Sequence, residues 1–420
     1  MPATAPNTQK TSALERFLRY VAVDTQSDPN SRTYPSTAKQ LVLLDQLAAE
    51  LKALGLADVT RDEHGYVFAT IPATTKKSNV PVVGFVAHVD TSPETSGTNV
   101  RPIVHRDYAG GDIVLPDDPA AVIRVAEDPE LAAKKGEDIV TASGATLLGA
   151  DDKAGVAEIM AAAEYLVQHP DIPHGAIRIG FTPDEEVGGG TTYFDIARFG
   201  AACAYTLDGT SLGSLDAETF SADAMTVTFQ GFNTHPGYAR AKMINAIKIA
   251  AEFIARLPRD RISPETTDGR EGFVHPNDVV ASVDRTSVKF IVRDFATAGL
   301  AVKEALIETL ARETVAQWPG SSVSFEVKNS YRNMKDVLDR HPAIVENARE
   351  AIRRAGVKPI ESAVRGGTDG SRLTEMGLPT PNIFAGGHNF HSRLEWVSAQ
   401  DMEKAVEVVV QLARVWEERS

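Results

Sequence analysis

The stretch IRIGFTPDEEVGGG, residues 177–190, begins as a strand and ends as an acidic turn. Its apolar first half suits a strand buried inside a sheet, and the three glycines that close it let the backbone turn sharply. Between them stand Asp184, Glu185 and Glu186, so the strand delivers three acids to its carboxyl end. Neighbouring side chains in an extended segment point different ways, which separates the tasks of Glu185 and Glu186: one can hold a cation while the other handles protons. An acidic solvated loop is the plain alternative, though an unusual one behind so apolar a strand.

Working outward, the same arrangement recurs. In GFVAHVDTSP (84–93) an apolar strand ends in His88 and Asp90. Residues two apart on a strand share a face, so the Asp90 carboxylate can reach the second ring nitrogen of His88, the usual way of aiming a metal-bound imidazole. A purely structural histidine is the other reading. TLLGADDKAG (146–155) sets Asp151 and Asp152 at the mouth of a helix, either as N-caps or as a carboxylate pair neutralised by cations. AYTLDG (204–209) ends in Asp208, and NIFAGGHNFHSRLEW (382–396) carries His388, His391 and Glu395 after a late strand. All these groups fall at the carboxyl ends of expected strands, the edge where open α/β sheets place ligand sites. Residues that merely cap or turn have no reason to gather on one edge.

Around them the pattern is α/β. Strands are expected over 66–71, 80–87, 176–181 and 201–207 and a helix over 154–167, giving a sheet with helices on both faces. Ser12 and Glu15 read as a capping box opening a helix to about Val23. Ser36 caps a second helix whose Leu41, Leu44, Leu47, Leu51 and Leu54 form one stripe, ended by Gly55. From Phe220 to Tyr331 the rhythm changes to strand 224–230, helix 239–256, strands 278–284 and 287–293, helix 297–316 and strand 321–328. This β-α-β-β-α-β order is ferredoxin-like. From about Arg340 the α/β pattern resumes, with a strand over 382–385 and a closing helix over 399–418. The expectation is a discontinuous α/β domain, 1–219 and 332–420, with an α+β domain inserted at 220–331.

A length of 420 residues calls for more than one core, in keeping with that division. The net charge of −14 repels phosphate backbones and anionic lipid, which argues against nucleic-acid and membrane partners. The first ten residues are polar and no long apolar run occurs, so a cytoplasmic protein is expected. The single cysteine, Cys203, lies in an apolar run and reads as a buried small hydrophobe. Disulfides and thiolate-rich zinc sites are thereby excluded, and any metal must use histidine and carboxylate. No nucleophile elbow or phosphate-binding lysine loop competes. RGGTDG (365–370) lacks that lysine, which leaves Arg365 as a candidate anion fork.

Taken together, AHVDTSP, LLGADDKAGVAEIM, FTPDEEVGGG, YTLDG, NTHPGYA, VRDF, RGGTDG, MGLPTPNIFAGG and NFHSRLEW stand in order without a large gap. They resemble the peptidase T family of tripeptide aminopeptidases, in the zinc-dependent aminopeptidase/carboxypeptidase clan. The resemblance implies a mixed-sheet catalytic domain with an inserted lid. It implies two zinc ions per chain, one held by His88, Asp151 and Asp208 and the other by Asp151, Glu186 and His391, with Asp151 bridging. It further implies that Asp90 orients His88, that Glu185 is the general acid/base, and that His235 polarises the substrate carbonyl. A histidine before Pro-Gly can also simply open the following helix. Arg293 and Arg365 match positions that grip the peptide, at its terminal carboxylate. Short peptides are the implied substrates, and relatives pair through the inserted domain as homodimers. The same metal set also serves carboxypeptidases, dipeptidases and N-acyl amino acid deacylases, and a fold stripped of catalysis would be a peptide-binding protein. Thr210 replaces a customary glycine, 265–284 diverges, and Ser392-Arg393-Leu394 stands where Gly-Lys-His is more frequent. These departures bear on selectivity and touch no ligand.

Overall fold

The computed structural model describes residues 12–420; the polar opening segment read above lies outside them. The main sheet has eight strands in the order Thr60–Arg61, Val67–Ile71, Ile177–Thr182, Val83–His88, Cys203–Gly209, Asn382–Phe384, Ser214–Thr219 and Ile360–Val364. Val83–His88 runs parallel to both neighbours, and Cys203–Gly209 runs parallel to Asn382–Phe384. Val67–Ile71 pairs antiparallel with Ile177–Thr182, and Ser214–Thr219 with Asn382–Phe384, so the sheet is mixed and the fold is α/β. Four parallel strands thus end on one edge, and the segments carrying His88 and Asp90, Asp184 to Glu186, Asp208 and His391 follow from them. Asp151 and Asp152 stand instead at the start of helix Ala150–Gln168 and follow no strand of this sheet.

Helix Ala150–Gln168 packs against the Val83–His88 and Cys203–Gly209 strands. Gly155 makes the close approach to the latter: a Cβ there would lie 2.0 Å from the Leu207 carbonyl oxygen. That approach draws the start of the helix, with Asp151, down onto the strand that ends in Asp208. Helices Ala13–Val21 and Ala399–Arg419 lie against the same helix. Helix Gln40–Ala53 ends as expected at Gly55, whose φ of 91° closes a Schellman turn: Leu56 N–H donates to Leu51 and Gly55 N–H to Lys52. Among the described residues no helix is long and apolar enough to cross a membrane.

Two expected caps are corrected. The Ser12 hydroxyl makes no cap; it donates to Glu164 and accepts from Arg16. Ser36 likewise gives its N–H and hydroxyl to Asp184, and the helix begins only at Gln40. In both cases a carboxylate distant in sequence outcompetes the local backbone.

The chain divides into two units. The first holds the chain up to Ala217 with Val337–Ser362 and Thr368–Ser420, and the second holds Glu218–Asp336 with Ala363–Gly367. The second unit therefore extends past the 220–331 read from the sequence and includes Arg365. Its antiparallel sheet runs Phe273–Ala281, Arg285–Asp294, Ser221–Gln230 and Ser322–Tyr331, the ferredoxin-like order. Met225, Val227, Phe229, Val288, Phe290 and Val292 alternate inward to meet Ile249, Phe253, Leu300 and Ile307 of its two helices. The helix expected over 239–256 starts at Ala246 instead. Pro236–Tyr238 forms a short 3₁₀ turn, and Asn245 caps the helix by accepting from Ile247 N–H at 2.9 Å.

Candidate metal centre

His88 ends its strand almost fully buried. Its Nδ1 lies 3.1 Å from the Asp90 carbonyl oxygen and 3.3 Å from Asp90 Oδ1, so the proton sits on that side and Nε2 is left to face outward. Nε2 meets Asp151 Oδ1 at 3.0 Å and Asp208 Oδ1 at 3.7 Å. On the other side of Asp151, Oδ2 meets His391 Nε2 at 3.2 Å, and the same nitrogen lies 2.9 Å from Glu186 Oε2. His88, Asp151 and Asp208 form one group able to hold a metal ion, and Asp151, Glu186 and His391 form another. Asp151 belongs to both, one oxygen to each.

Asp90 does more than aim His88. Fully buried, it accepts Glu185 N–H at 2.9 Å on Oδ1 and Glu186 N–H at 3.2 Å on Oδ2. One carboxylate therefore fixes the imidazole and the acidic turn together. Asp184 anchors the turn from behind, in the left-handed region at φ 61°, accepting from Ser36 and from Gln40 Nε2 at 2.7 Å. Asp152 takes the His88 N–H at 3.2 Å on one oxygen.

The charges around this edge explain what it can bind. Burial works against the Asp151 anion, but the His391 and His88 hydrogen bonds outweigh it and hold the carboxyl below its usual range. The other acids go the opposite way. Burial pushes Glu186 up to about 8, with the charge of Asp151 adding to it. Asp208 is raised, also by burial first. Burial lifts Glu185 well above its ordinary value, His88 opposing and Asp208, Asp369 and Glu186 adding. His391 is driven up to about 11 by its bonds to Asp151 and Glu186. Glu186 Oε1 and Asp152 Oδ1 are buried with no hydrogen-bond partner among the described residues. So many buried acids on one edge, three with orphaned oxygens once Asp369 Oδ1 is included, are short of positive charge, and divalent cations fit that deficit with an oxygen and nitrogen donor set suited to zinc.

The expected ligands thus come together in the first unit, as do Asp90 and Glu185. His235 lies in the second unit, where its Nδ1 accepts Gly237 N–H at 3.1 Å and caps the 3₁₀ turn. Arg293 and Arg365 meet there as well: Arg293 donates to the Arg365 carbonyl at 3.0 Å, and both guanidinium groups lie over Phe273. Arg365 does not present the free fork read from the sequence. Its donors go to the Gly269, Glu271 and Thr267 carbonyls and the Thr267 hydroxyl, so it holds a loop. Cys203 is buried, its thiol pushed up to about 12 by burial, as a structural cysteine should be.

Three acids escaped assignment from the sequence. Glu94 Oε2 lies 3.3 Å from His391 Nδ1. Asp369 is buried, accepts from Thr182 Oγ1 at 2.8 Å, and is raised to about 6 chiefly by burial. Glu395 accepts backbone N–H groups from the Asp151 turn. The only sequence signal for Glu395 was its closeness to His391.

Residues 132–415 match the family model of peptidase family M20/M25/M40. The chain is 49% identical to peptidase T of Geobacillus thermodenitrificans over 411 residues, 98% of this chain and 100% of that protein. It is 48% identical to peptidase T of Clostridium botulinum over 406 residues, 97% and 99% of the two chains. Among solved structures, it is similar to the aminopeptidase PepT of Bacillus cereus, with a TM-score of 0.73 at 24% identity over 98% of this chain and 99% of that one. A dinuclear metal binding peptidase of the M20 family from Bacillus subtilis has a TM-score of 0.65 at 15% identity, covering 97% and 98%. At those identities the structural likeness speaks for the fold.

Proposed function

The chain belongs to peptidase family M20/M25/M40, and from that premise we propose that it is a zinc-dependent aminopeptidase that releases the N-terminal residue of short peptides, tripeptides foremost. The observation that carries the reading is the pair of triads sharing Asp151. His88, Asp151 and Asp208 would hold one ion, and Asp151, Glu186 and His391 the other. Bound there, two zinc ions supply Lewis-acid polarisation of the scissile carbonyl and a water acidic enough to lose its proton near neutral pH.

The chain's own groups do the rest. Asp90 keeps the His88 proton on Nδ1, which leaves Nε2 unprotonated and able to ligate a cation held by this triad. Glu185 is tethered through its N–H to Asp90 and stands outside both triads, so its carboxylate is free to take the proton of the attacking water. The same carboxyl then returns that proton to the nitrogen of the departing amine. In the second unit, we assign His235 to the substrate carbonyl and Arg293 to the terminal carboxylate, with Arg365 shaping the loop beside it. That unit serves as a lid in this reading. Its pairing with a second copy is supported by Val279 and Val280, exposed on the edge strand Phe273–Ala281.

Turnover of free and N-acetylated tripeptides, measured beside zinc content, tests the reading. Hydrolysis of the free peptides alone, with two zinc ions per chain, is expected. Equal hydrolysis of the acetylated peptides would point to a deacylase.

A further inference from the structure

We propose that Glu395 is a positioning residue that locks the loop carrying His391 to the turn carrying Asp151, and so holds the two triads at the spacing where they share Asp151. This inference rests on the metal reading above. Gly387 and His388 pair with Val397 and Trp396, so residues 389–395 form a loop closed at its base, with His391 inside it. Glu395 stands at that base, 1% exposed. Its Oε2 accepts Leu148 N–H at 2.8 Å and Gly149 N–H at 2.7 Å, and its Oε1 accepts Asp151 N–H at 3.0 Å. Three donors from one turn therefore converge on one carboxylate from another part of the chain.

The consequence is geometric. The 3.2 Å between His391 Nε2 and Asp151 Oδ2 spans two separate segments and stays constant only if they move together. Backbone strain makes this tie more necessary, because His391 sits at a positive φ of 59°, which a residue with a Cβ rarely adopts. Elsewhere the loop is held by Thr95, whose hydroxyl donates to the His391 carbonyl at 2.6 Å and which lies outside the Asp151 turn. Glutamate suits the task because both its oxygens accept. Glutamine would turn an NH₂ group towards a backbone N–H, and aspartate is one methylene too short to serve both sides.

The test uses the full chain. Zinc affinity is measured by competition with a chromogenic chelator for wild type, E395Q and V397A, with amide hydrogen exchange at Leu148, Gly149 and Asp151. Val397 is fully buried in the same hairpin, so V397A supplies general destabilisation without touching the carboxylate. E395Q should weaken zinc binding about 10- to 100-fold and speed exchange at those three amides. Its kcat should fall while KM for a tripeptide stays within about twofold. V397A, compared at the same margin below its melting temperature, should bind zinc as wild type does. E395Q with wild-type zinc affinity, or V397A losing as much, overturns the proposal. Wild type that binds no zinc would remove the metal reading itself and this inference with it.

Discussion

Replacing Asp90 by asparagine offers a sharp test of how the site is held. The carboxylate meets three donors: Glu185 N–H at 2.9 Å and His88 Nδ1 at 3.3 Å on Oδ1, and Glu186 N–H at 3.2 Å on Oδ2. Asparagine keeps nearly the same shape but has only one accepting oxygen. If that oxygen stays with Glu185 and His88, its NH₂ group opposes the Glu186 N–H; if it turns the other way, it opposes both remaining donors. Either way at least one hydrogen bond to a buried charge is lost, at about 2–3 kcal/mol, and two donors are set face to face. Were that loss expressed wholly in positioning, kcat/KM would fall about 30- to 160-fold. The assay is kcat/KM on a free tripeptide at saturating zinc, alongside zinc stoichiometry and thermal melting. The fall should appear mainly in kcat, because the acidic turn carries Glu185 and substrate grip lies elsewhere. Activity within threefold of wild type, with full metal, would refute the view that Asp90 tethers the turn.

Glu185→Gln should keep both metals and lose about 10²- to 10⁴-fold in kcat, since glutamine cannot take the water's proton; turnover surviving at full zinc occupancy would remove Glu185 from the reaction. Arg293→Ala should raise KM about 10- to 100-fold for tripeptides with a free C-terminal carboxylate and leave amidated tripeptides unchanged, whereas equal losses on both would make Arg293 structural. His388 is stacked on Trp396, and burial holds it down to about 4 from an ordinary 6.5, against the pull of Glu130 and Asp128. Between those values the unfolded chain binds the extra proton, so this stabilisation is complete above pH 6.5 and is lost as pH falls towards 4, by roughly 2–3 kcal/mol. His388→Gln should flatten that stretch of the stability–pH curve in urea titrations, and an unchanged slope would show that His388 is not buried in neutral form.

The sheet was legible because its strands are nearly continuous apolar runs, as in Val83–His88, whose every residue is buried. His88 and Asp208 were legible because each ends such a run, and Glu186 because its acidic turn follows one. Asp151 was legible instead from a pair of aspartates at a helix start, and His391 from a histidine cluster after a late strand. The ferredoxin-like order could be read from period-two alternation in Ser221–Gln230 and Arg285–Asp294. Residues whose partners are far away in sequence could not be read. Ser36 looked like a cap because Asp184, which takes it, is 148 residues on. Glu395 reaches 244 residues back to Asp151. Arg365 looked like an anion fork because nothing nearby hints that carbonyls near Thr267 consume its donors. Short strands such as Gly387–His388 and Trp396–Ser398 were missed because two or three residues carry no period.

The acids on this edge sort themselves by what their oxygens accept, and the sorting separates support from chemistry. Asp90, Asp184 and Glu395 each accept at least one backbone N–H, and between them they hold the acidic turn and the Asp151 turn. Backbone donors satisfy a carboxylate in place, so these three have little left to offer a cation. Among the described residues, the hydrogen bonds to the Asp151 carboxylate come from His88 and His391, and Glu186 keeps one oxygen with no partner at all. A carboxylate buried without N–H donors is costly unless a cation meets it. Among the described residues the triad acids Asp151, Glu186 and Asp208 lack backbone donors and are ones a metal would stabilise, while Glu185 and Asp369 also lack them but stand outside both triads. Asp152 falls between the classes, one oxygen on the His88 N–H and the other orphaned. That places it as a support for the strand end that carries His88, beside the triads without joining either of them.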